Sequence, residues 1–425
     1  MSSRPRALGP LVALFTAGYL APYLLPTVVG RLSAGLGLTP AQAGLVGSVL
    51  LLASASAGFT LAARVERLGP RRAARIGLGA MCLGYGSAAL TASVPLVVGG
   101  AVMGGFGSGT ALAVAAAGIA AQRDPHRAST LGLLTVSATA GALYLTLPHL
   151  GGGHELPFAS IALAAALVWP LTGGLAGGAG HRTAERQPTR PEKSERPETV
   201  LSSLPHRRSG LVLAVAILCW SMAQNALWGV SGRIGLTQAG LSEVTVGAVF
   251  AVALGAGLAG VTAAGALGSR LGRAAPIGAG TAIIAVCVLV TSGAESLPAF
   301  ATGEILWNVF YPVVLSYLLG LAASLDPRGR WAVLVGSASS LGVACGPVTG
   351  SVLSEQAGYP GMGLILCALL LLAAAPMTAV ALHTSGRPLV PGSIRRRGGA
   401  PTAAVTEIPI PVPAERSGLD LSTTA

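Results

Sequence analysis

The chain is divided almost from end to end into apolar runs of roughly 20 residues, the length that a helix needs to cross the hydrocarbon core of a bilayer. Charges, prolines and glycine clusters separate about 12 such runs. Apolar residues make up 52% of the 425 residues and charged residues only 10%, too few to cover the surface of a soluble fold of this length. The sequence therefore predicts an all-α polytopic membrane protein.

We number the predicted spans 1 to 12 in chain order. Glycines and prolines inside them do not argue against helix, because neighbouring helices can satisfy the freed backbone groups. The 60 glycines also favour close helix packing within a bilayer. The predicted spans cover residues 8–29, 41–62, 75–93, 96–121, 129–150, 156–176, 210–230, 243–266, 275–293, 298–323, 331–353 and 360–382. The first run is longer than the apolar core of a signal peptide, so we interpret it as an uncleaved span.

The cations predict the orientation of the chain. With the N-terminus inside, all but two of the 27 Lys and Arg residues fall in cytoplasmic loops and tails, and the two exceptions are Arg31 and Arg233. This is the bias of proteins inserted with their positive loops inside. We therefore expect a cell-membrane protein with both termini in the cytoplasm.

One long polar stretch divides the spans into two groups of six. It is rich in Pro, Glu and Arg, a composition typical of a solvated, disordered linker. The two groups resemble each other at an offset of roughly 202 residues, since Gly30-Arg31 recurs as Gly232-Arg233 and Arg67-Leu68-Gly69 as Arg270-Leu271-Gly272. We predict an N-terminal half (1–176), a linker (177–209), a C-terminal half (210–383) and a disordered tail (384–425).

Composition and spacing exclude several other classes of protein. The net charge of +12 arises from loops and tails rather than from a basic helix with interleaved aromatics, which argues against nucleic-acid binding. The five cysteines lie inside apolar runs without C-x-x-C spacing, so we expect packing residues and no metal site. No cofactor motif is present. The expected partners are a small solute, protons and the lipid bilayer, and the expected state is a monomer.

The loop after span 2 resembles a motif of the major facilitator superfamily, G-x-x-x-D-R-x-G-R-R between the second and third helices. Here the stretch from Ala62 to Arg72 reads A-A-R-V-E-R-L-G-P-R-R. Arg67, Gly69 and the final Arg pair fit the pattern if Pro70 is an insertion, whereas Ala62 and Glu66 replace its usual Gly and Asp. The second half repeats the motif from Gly265 to Arg273, with Ser269 in place of the acid.

This resemblance implies a major facilitator fold, with 12 helices in two pseudo-symmetric halves, and a turn that latches the halves in one conformation. A tight turn needs glycine, and its cations can meet helix ends and lipid head groups. The latch residues would be Glu66, Arg67, Gly69, Arg270 and Gly272.

Two other patterns differ from those of drug and proton antiporters in the family. Span 5 lacks their Gly-x-x-x-Gly-Pro stretch, which appears instead in span 11 as Gly342 to Pro347. Ala101 of span 4 stands where many exporters have an Arg. We expect the glycines of span 11 to allow close packing and Pro347 to bend the helix.

By the resemblance, spans 1, 4, 7 and 10 line a central cavity, so their polar and aromatic residues are the candidate substrate-binding residues. Helical spacing places each set on one face. The candidates are Tyr19 and Tyr23 of span 1, Gln224, Asn225 and Trp228 of span 7, and Glu304, Trp307, Asn308 and Tyr311 of span 10. Buried polar side chains also serve as hydrogen bonds between helices, and aromatics near span ends as interfacial anchors, so these structural roles stay open.

Glu304 is the only acid placed within a span, and an ionisable residue there is costly enough to suggest a function. It is predicted to couple proton movement to transport or to act as counter-ion to a cationic solute. The alternative is a structural carboxylate that reaches water or pairs with Arg233. His149, at the outer end of span 5, is a second candidate for proton exchange, because imidazole titrates near neutral pH, or else an exposed loop residue.

These observations favour a secondary transporter of a small organic solute that works by alternating access and is coupled to protons. Sodium as the coupling ion, and import or export, are left open. A membrane-embedded enzyme is the alternative, but no span carries paired acids, H-E-x-x-H or a plausible Gly-x-Ser-x-Gly. A channel would need rings of like charge or repeated filter loops, and the sequence has neither. We therefore expect a transporter and not an enzyme.

Overall fold

In the computed structural model, which describes residues 8–62, 68–175, 205–268, 271–326 and 328–385, all regular structure is helical. The helices supply twelve spans, whose bounds are Leu8–Tyr23 with Leu25–Leu36 (span 1), Pro40–Ala62 (2), Pro70–Ala89 (3), Val94–Ala120 (4), Pro125–Leu150 (5), Glu155–Val168 with the 3₁₀ turn Trp169–Gly174 (6), Arg207–Arg233 with the π-helical turn Ile234–Gln238 (7), Glu243–Leu267 (8), Ala274–Ser292 (9), Leu297–Ser324 (10) and Arg330–Ser385 (11 and 12).

Nine of these described stretches are long and apolar enough to cross a membrane, and the bent pair of span 1 makes a tenth. The stretch beginning at Arg330 contains two spans, because Gly358 has φ 69° and ψ 171° and breaks the helix. Span 3 completes the twelve, although three arginines in its first two turns lower its apolarity. The predicted all-α fold of twelve helices in two halves is therefore confirmed.

Local sequence explains where several spans begin. Spans 2, 3 and 5 start with proline, which is tolerated in the first turn because the missing N–H would have no partner there. Asp124 precedes span 5 and accepts a hydrogen bond from Arg127 N at 3.0 Å. Ser242 does the same for Thr245 N at the start of span 8, at 3.2 Å.

Several predicted span boundaries were wrong, among them the following three. Span 1 does not end at residue 29 but continues to Leu36, with a bend of 48° between its two segments. Span 3 begins at Pro70, five residues before the predicted start. Span 7 begins at Arg207, inside the predicted linker. Most of the predicted linker (residues 177–204) and most of the predicted tail (residues 386–425) lie outside the described residues.

The bundle has two faces, which we call proximal, where span 1 begins at Leu8, and distal, where it ends at Leu36. In the N-terminal half, span 4 packs against spans 1, 2 and 3, and in the C-terminal half span 7 packs along span 11. The halves meet where span 2 packs on span 11, span 5 on span 8, and the distal segment of span 1 on span 7.

The glycines of span 11 explain its packing on span 7. A Cβ added at Gly342, Gly346 or Gly350 would collide with the backbone of span 7 between Leu218 and Ala226. Only glycine lets the two backbones approach this closely. The predicted close-packing role of this glycine pattern is confirmed.

Candidate functional site

The predicted stripe on span 10 is continuous in the structure. Asn308 Nδ2 donates to Glu304 O at 3.0 Å, and the rings of Trp307 and Tyr311 lie 5.6 Å apart. Glu304 and Trp307 are buried, whereas Asn308 and Tyr311 are partly exposed. The stripe therefore runs from a buried carboxyl to partly exposed side chains.

Glu304 is fully buried and has a single side-chain partner. Its Oε1 lies 2.6 Å from Ser231 Oγ, and its Oε2 has no hydrogen-bond partner. Ser231 Oγ also lies 3.0 Å from Leu227 O. Because a hydroxyl has one proton, Ser231 can donate to only one of these oxygens at full strength. If it donates to Leu227 O, the Glu304 carboxyl must carry a proton to donate to Ser231.

The structure does not pair Glu304 with Arg233, and Glu304 has no exposure to water. The guanidinium of Arg233 lies over the ring of Tyr359 instead, 5.8 Å from its centroid. The ion pairs of the described residues do not include Glu304. A carboxylate charge at this position would therefore have no cation to offset its desolvation.

Span 7 contributes two polar atoms without partners beside this stripe. The indole N–H of Trp307 donates to Gln224 Oε1, which leaves Gln224 Nε2 buried without a partner. Trp220 stacks on Tyr311 with ring centroids 5.3 Å apart, and its indole N–H is also buried without a partner. Sequence reasoning missed Trp220, although it lies four residues before Gln224 and so on the same helix face.

Span 1 brings two tyrosines to the same region from the N-terminal half. Tyr19 and Tyr23 are partly exposed and lie 6.4 Å apart, ring to ring. Tyr311 of the other half lies near both. Asn225 of span 7 is also partly exposed, and its amide donates to Ser221 O at 2.9 Å. The nine predicted substrate-binding residues thus lie on span 1 of the N-terminal half and on spans 7 and 10 of the C-terminal half, which meet here.

The bend in span 1 lies at this site. Two residues around it, Pro22 and Pro26, have no N–H to donate to the preceding turn. Trp228 Nε1 donates to Pro22 O at 3.1 Å, and Tyr144 Oη donates to Tyr23 O at 2.7 Å. Tyr144 was not a predicted residue, and no sequence pattern relates it to span 1.

Arg31 closes the distal face between the halves. It belongs to the helix of span 1 and is buried, which corrects its predicted place in an outer loop. Its guanidinium forms an ion pair with Glu243 of span 8 at 3.1 Å. It also donates to Gly151 O at 2.9 Å and to Leu147 O at 3.0 Å. One side chain therefore joins the distal ends of spans 1, 5 and 8.

Spans 2 and 11 make the second distal contact between the halves. Val348 N donates to Ser48 Oγ at 2.9 Å, and Ala41 N donates to Glu355 Oε2 at 3.2 Å. Gly44 approaches span 11 so closely that a Cβ there would lie 2.6 Å from Pro347 O. The described hydrogen bonds and ion pair between the halves all lie on the distal side of the bend in span 1 or at the bend itself.

The structure does not bring His149 to Glu304. His149 is exposed in the last turn of span 5 and makes no hydrogen bond or ion pair with Glu304. Its proton role stays a prediction without geometric support.

Part of the predicted latch can be located. Gly69 and Gly272 have φ of 80° and 67°, the left-handed region that favours glycine. Glu66, Arg67 and Arg270 lie outside the described residues. Arg75 Nε, one turn into span 3, donates to Thr172 Oγ1 at 3.1 Å and joins this end of span 3 to span 6. Their action as a latch stays a prediction.

The described residues contain no cluster of three or more His, Cys, Asp or Glu side chains that could hold a metal ion, and the five cysteines are free.

Comparison with known proteins agrees with this architecture. The sequence profile of the Major Facilitator Superfamily matches residues 7–330. No curated protein matches the chain in sequence. The fold is similar to the crystal structure of the human organic anion transporter MFSD10 (TETRAN), with a TM-score of 0.60 at 18% identity, covering 88% of this chain and 100% of that one. It is also similar to a bacterial homolog of the human lysosomal transporter Spinster in an inward-facing, unoccupied conformation, with a TM-score of 0.64 at 17% identity, covering 90% and 95%. At such identities the two structures support the fold alone, and it is the profile match over most of the chain that shows that this membrane transporter belongs to the major facilitator superfamily.

Proposed function

We propose that the protein is a proton-coupled secondary active transporter of a small organic solute, with Glu304 as the coupling group. The observation that carries this proposal is a fully buried carboxyl with no cation partner, at one end of a stripe of aromatic and amide side chains that becomes partly exposed at its other end. An ionisable group in such a place is rare unless it serves a function.

The chemistry of the stripe favours an apolar solute that is neutral or cationic. None of the nine candidate residues is a cation, and five of them are aromatic. Ring faces of Tyr and Trp attract cations and pack against apolar surfaces. Asn225 and Asn308 supply amides for a few oriented hydrogen bonds, and Glu304 would be a counter-ion when ionised.

The closed distal face supports a mechanism of alternating access. With the termini and the proximal face in the cytoplasm of a cell-membrane protein, as the arginine distribution predicts, this conformation faces inward. Loss of the Arg31 and Gly44 contacts would let the halves rock and expose the same site outward. Glu304 would take up or release its proton when water reaches it during that cycle, and Ser231 could donate to the carboxylate or accept from the carboxyl.

The test is Glu304→Gln in proteoliposomes with an imposed pH gradient. A thermal-shift screen of solutes on the purified protein first supplies a substrate. Glu304→Gln keeps the shape of the side chain and removes its charge, so it should abolish gradient-driven accumulation and retain exchange of internal for external substrate, since exchange moves no net proton. Glu295→Gln, which alters an exposed acid just before the same span, is the matched control and should behave as wild type. Normal accumulation by Glu304→Gln would refute proton coupling through this residue.

A further inference from the structure

The bend of span 1 frees a backbone carbonyl. In a regular helix Pro22 O would accept the N–H of residue 26, but residue 26 is proline and has none. A buried carbonyl without a partner is costly, so the chain must satisfy it in another way.

The donor comes from the opposite half of the molecule. Trp228 of span 7 donates its indole N–H to Pro22 O at 3.1 Å. The neighbouring carbonyl, Tyr23 O, accepts from Tyr144, which belongs to the same half as span 1. Separation of the halves would therefore break the first hydrogen bond and leave the second intact.

The same indole is part of the candidate solute site. Its ring stacks on Trp307 with centroids 5.6 Å apart and planes at 25°. Trp307 in turn contacts Tyr311 and donates to Gln224. Trp228 itself is 7% exposed, so its ring is fixed by these neighbours and by Phe250.

We propose that Trp228 is a positioning residue that couples the solute site to closure of the distal face, by satisfying Pro22 O only when the halves are closed there. The inference rests on the alternating access of the proposed function, but not on proton coupling or on the identity of the solute. A solute that shifts Trp307 or Tyr311 would also shift the indole and so weaken or strengthen the closed state.

The sign of the effect follows from solvation. In the closed conformation Pro22 O faces a buried indole, and after the halves separate it can bind water. Removing the indole N–H therefore penalises the closed conformation more than the open one. Trp228→Phe should raise the ratio of distal-open to distal-closed protein about fivefold, the scale of one net hydrogen bond.

The freed carbonyl also supplies an internal rescue. Pro26→Ala restores an N–H at the position that a regular helix uses to satisfy Pro22 O. In the Pro26→Ala background the carbonyl no longer depends on Trp228. The double variant should therefore have an open-to-closed ratio within about twofold of that of Pro26→Ala alone. Tyr144→Phe is the matched control, because it removes a donor from the same bend but within one half.

The measurement is the distance between spin labels at Ala92→Cys and Ser296→Cys, two exposed distal positions in opposite halves, in full-length protein whose native cysteines have been replaced. We expect a larger long-distance population for Trp228→Phe and none for Tyr144→Phe. Trp228→Leu, which also lacks the N–H, substitutes if Trp228→Phe does not purify as a monodisperse protein.

The proposal is overturned if Trp228→Phe matches wild type, or if its effect persists in the Pro26→Ala background, since the ring and not its N–H would then be responsible. The distances do not depend on proton coupling. Normal gradient-driven accumulation by Glu304→Gln would therefore refute the proposed coupling without bearing on the role of Trp228.

Discussion

Gly44 should set how tightly the distal face can close. It lies in the second turn of span 2, where a Cβ would approach Pro347 O to 2.6 Å and would also collide with the side chain of Ser351. Rotation of the Ser351 side chain can move its hydroxyl, but Ser351 Cβ, 2.5 Å from the added Cβ, and the Pro347 carbonyl are both held by the backbone of span 11. Since ordinary contacts begin at 3.4 Å, Gly44→Ala requires the halves to move apart by nearly 1 Å at this point.

The expected cost can be worked out from this overlap. Forcing one methyl group into a closely packed contact typically costs about 1–3 kcal/mol. The strain exists only while spans 2 and 11 are in contact, so it should reduce the closed-to-open ratio by roughly 5- to 150-fold and leave the folding of each half unchanged. Gly58→Ala on the same span is the control, because a Cβ there meets nothing within 4 Å.

The assay is the distal spin-label distance, together with the midpoint of thermal unfolding. Gly44→Ala should enlarge the long-distance population and lower net transport, with the unfolding midpoint close to that of Gly58→Ala. A distance distribution equal to that of wild type would show that span 11 moves aside at little cost, and that this contact does not control closure.

Three other substitutions test separate parts of the structure. Glu243→Gln removes the carboxylate partner of Arg31 but leaves its two hydrogen bonds to carbonyl groups. The distal-open population should rise by only about two- to fivefold, because the Glu243 side chain is half-exposed; an unchanged population would show that the ion pair does not stabilise closure. Gly272→Val forces φ of 67° on a β-branched residue, at about 1–3 kcal/mol, and should lower turnover more than protein yield. Gly255→Ala on span 8 is the control, because a Cβ there meets nothing within 4 Å; wild-type transport by Gly272→Val would contradict the latch. Ser194→Cys should resist a membrane-impermeant thiol reagent in intact cells, and labelling would invert the predicted topology.

Apolar run length and glycine spacing predicted most of the fold because both depend on local chemistry. A run of about 20 apolar residues has few alternatives to a membrane span, and the glycines of span 11 do pack on the backbone of span 7. Helical spacing also placed Glu304 to Tyr311 on one stripe, because a continuous helix fixes which residues share a face.

The contacts between the halves could not be predicted in this way. The sequence predicts Arg31 in a loop, because a cation usually ends an apolar run. In the structure its partners Gly151 and Glu243 are more than a hundred residues away in the chain, so no local pattern indicates them. The bend of span 1 was missed for a related reason. Prolines are tolerated in membrane helices when neighbours satisfy the freed carbonyls, and only the folded structure shows that Trp228 and Tyr144 are those neighbours.

The sequence carries a further signal of the internal duplication. Asp124-Pro125 recurs as Asp326-Pro327, at the same offset of 202 residues as Gly30-Arg31 and Gly232-Arg233. Both aspartates accept backbone N–H groups just before a span, Asp124 from Arg127 at 3.0 Å and Asp326 from Arg328 at 3.1 Å. The repeated pair therefore marks a helix start in each half, on the proximal side.

The position of Glu304 suggests how one carboxyl can respond to movement of the halves. Tyr144 of the other half lies near Glu304, without a hydrogen bond to it, and lines a cleft of about 90 Å³ on the distal side, beside Arg31. Opening the distal face would withdraw Tyr144 and extend this cleft toward the carboxyl, so water would reach Glu304 from the distal side first. Hydration lowers the cost of the charged form, whereas closure around an unpaired carboxylate raises it again. If Glu304 is the coupling group, as proposed, the neutral carboxyl would be the form that lets the distal face close, and proton uptake would be a condition for returning to the conformation seen here.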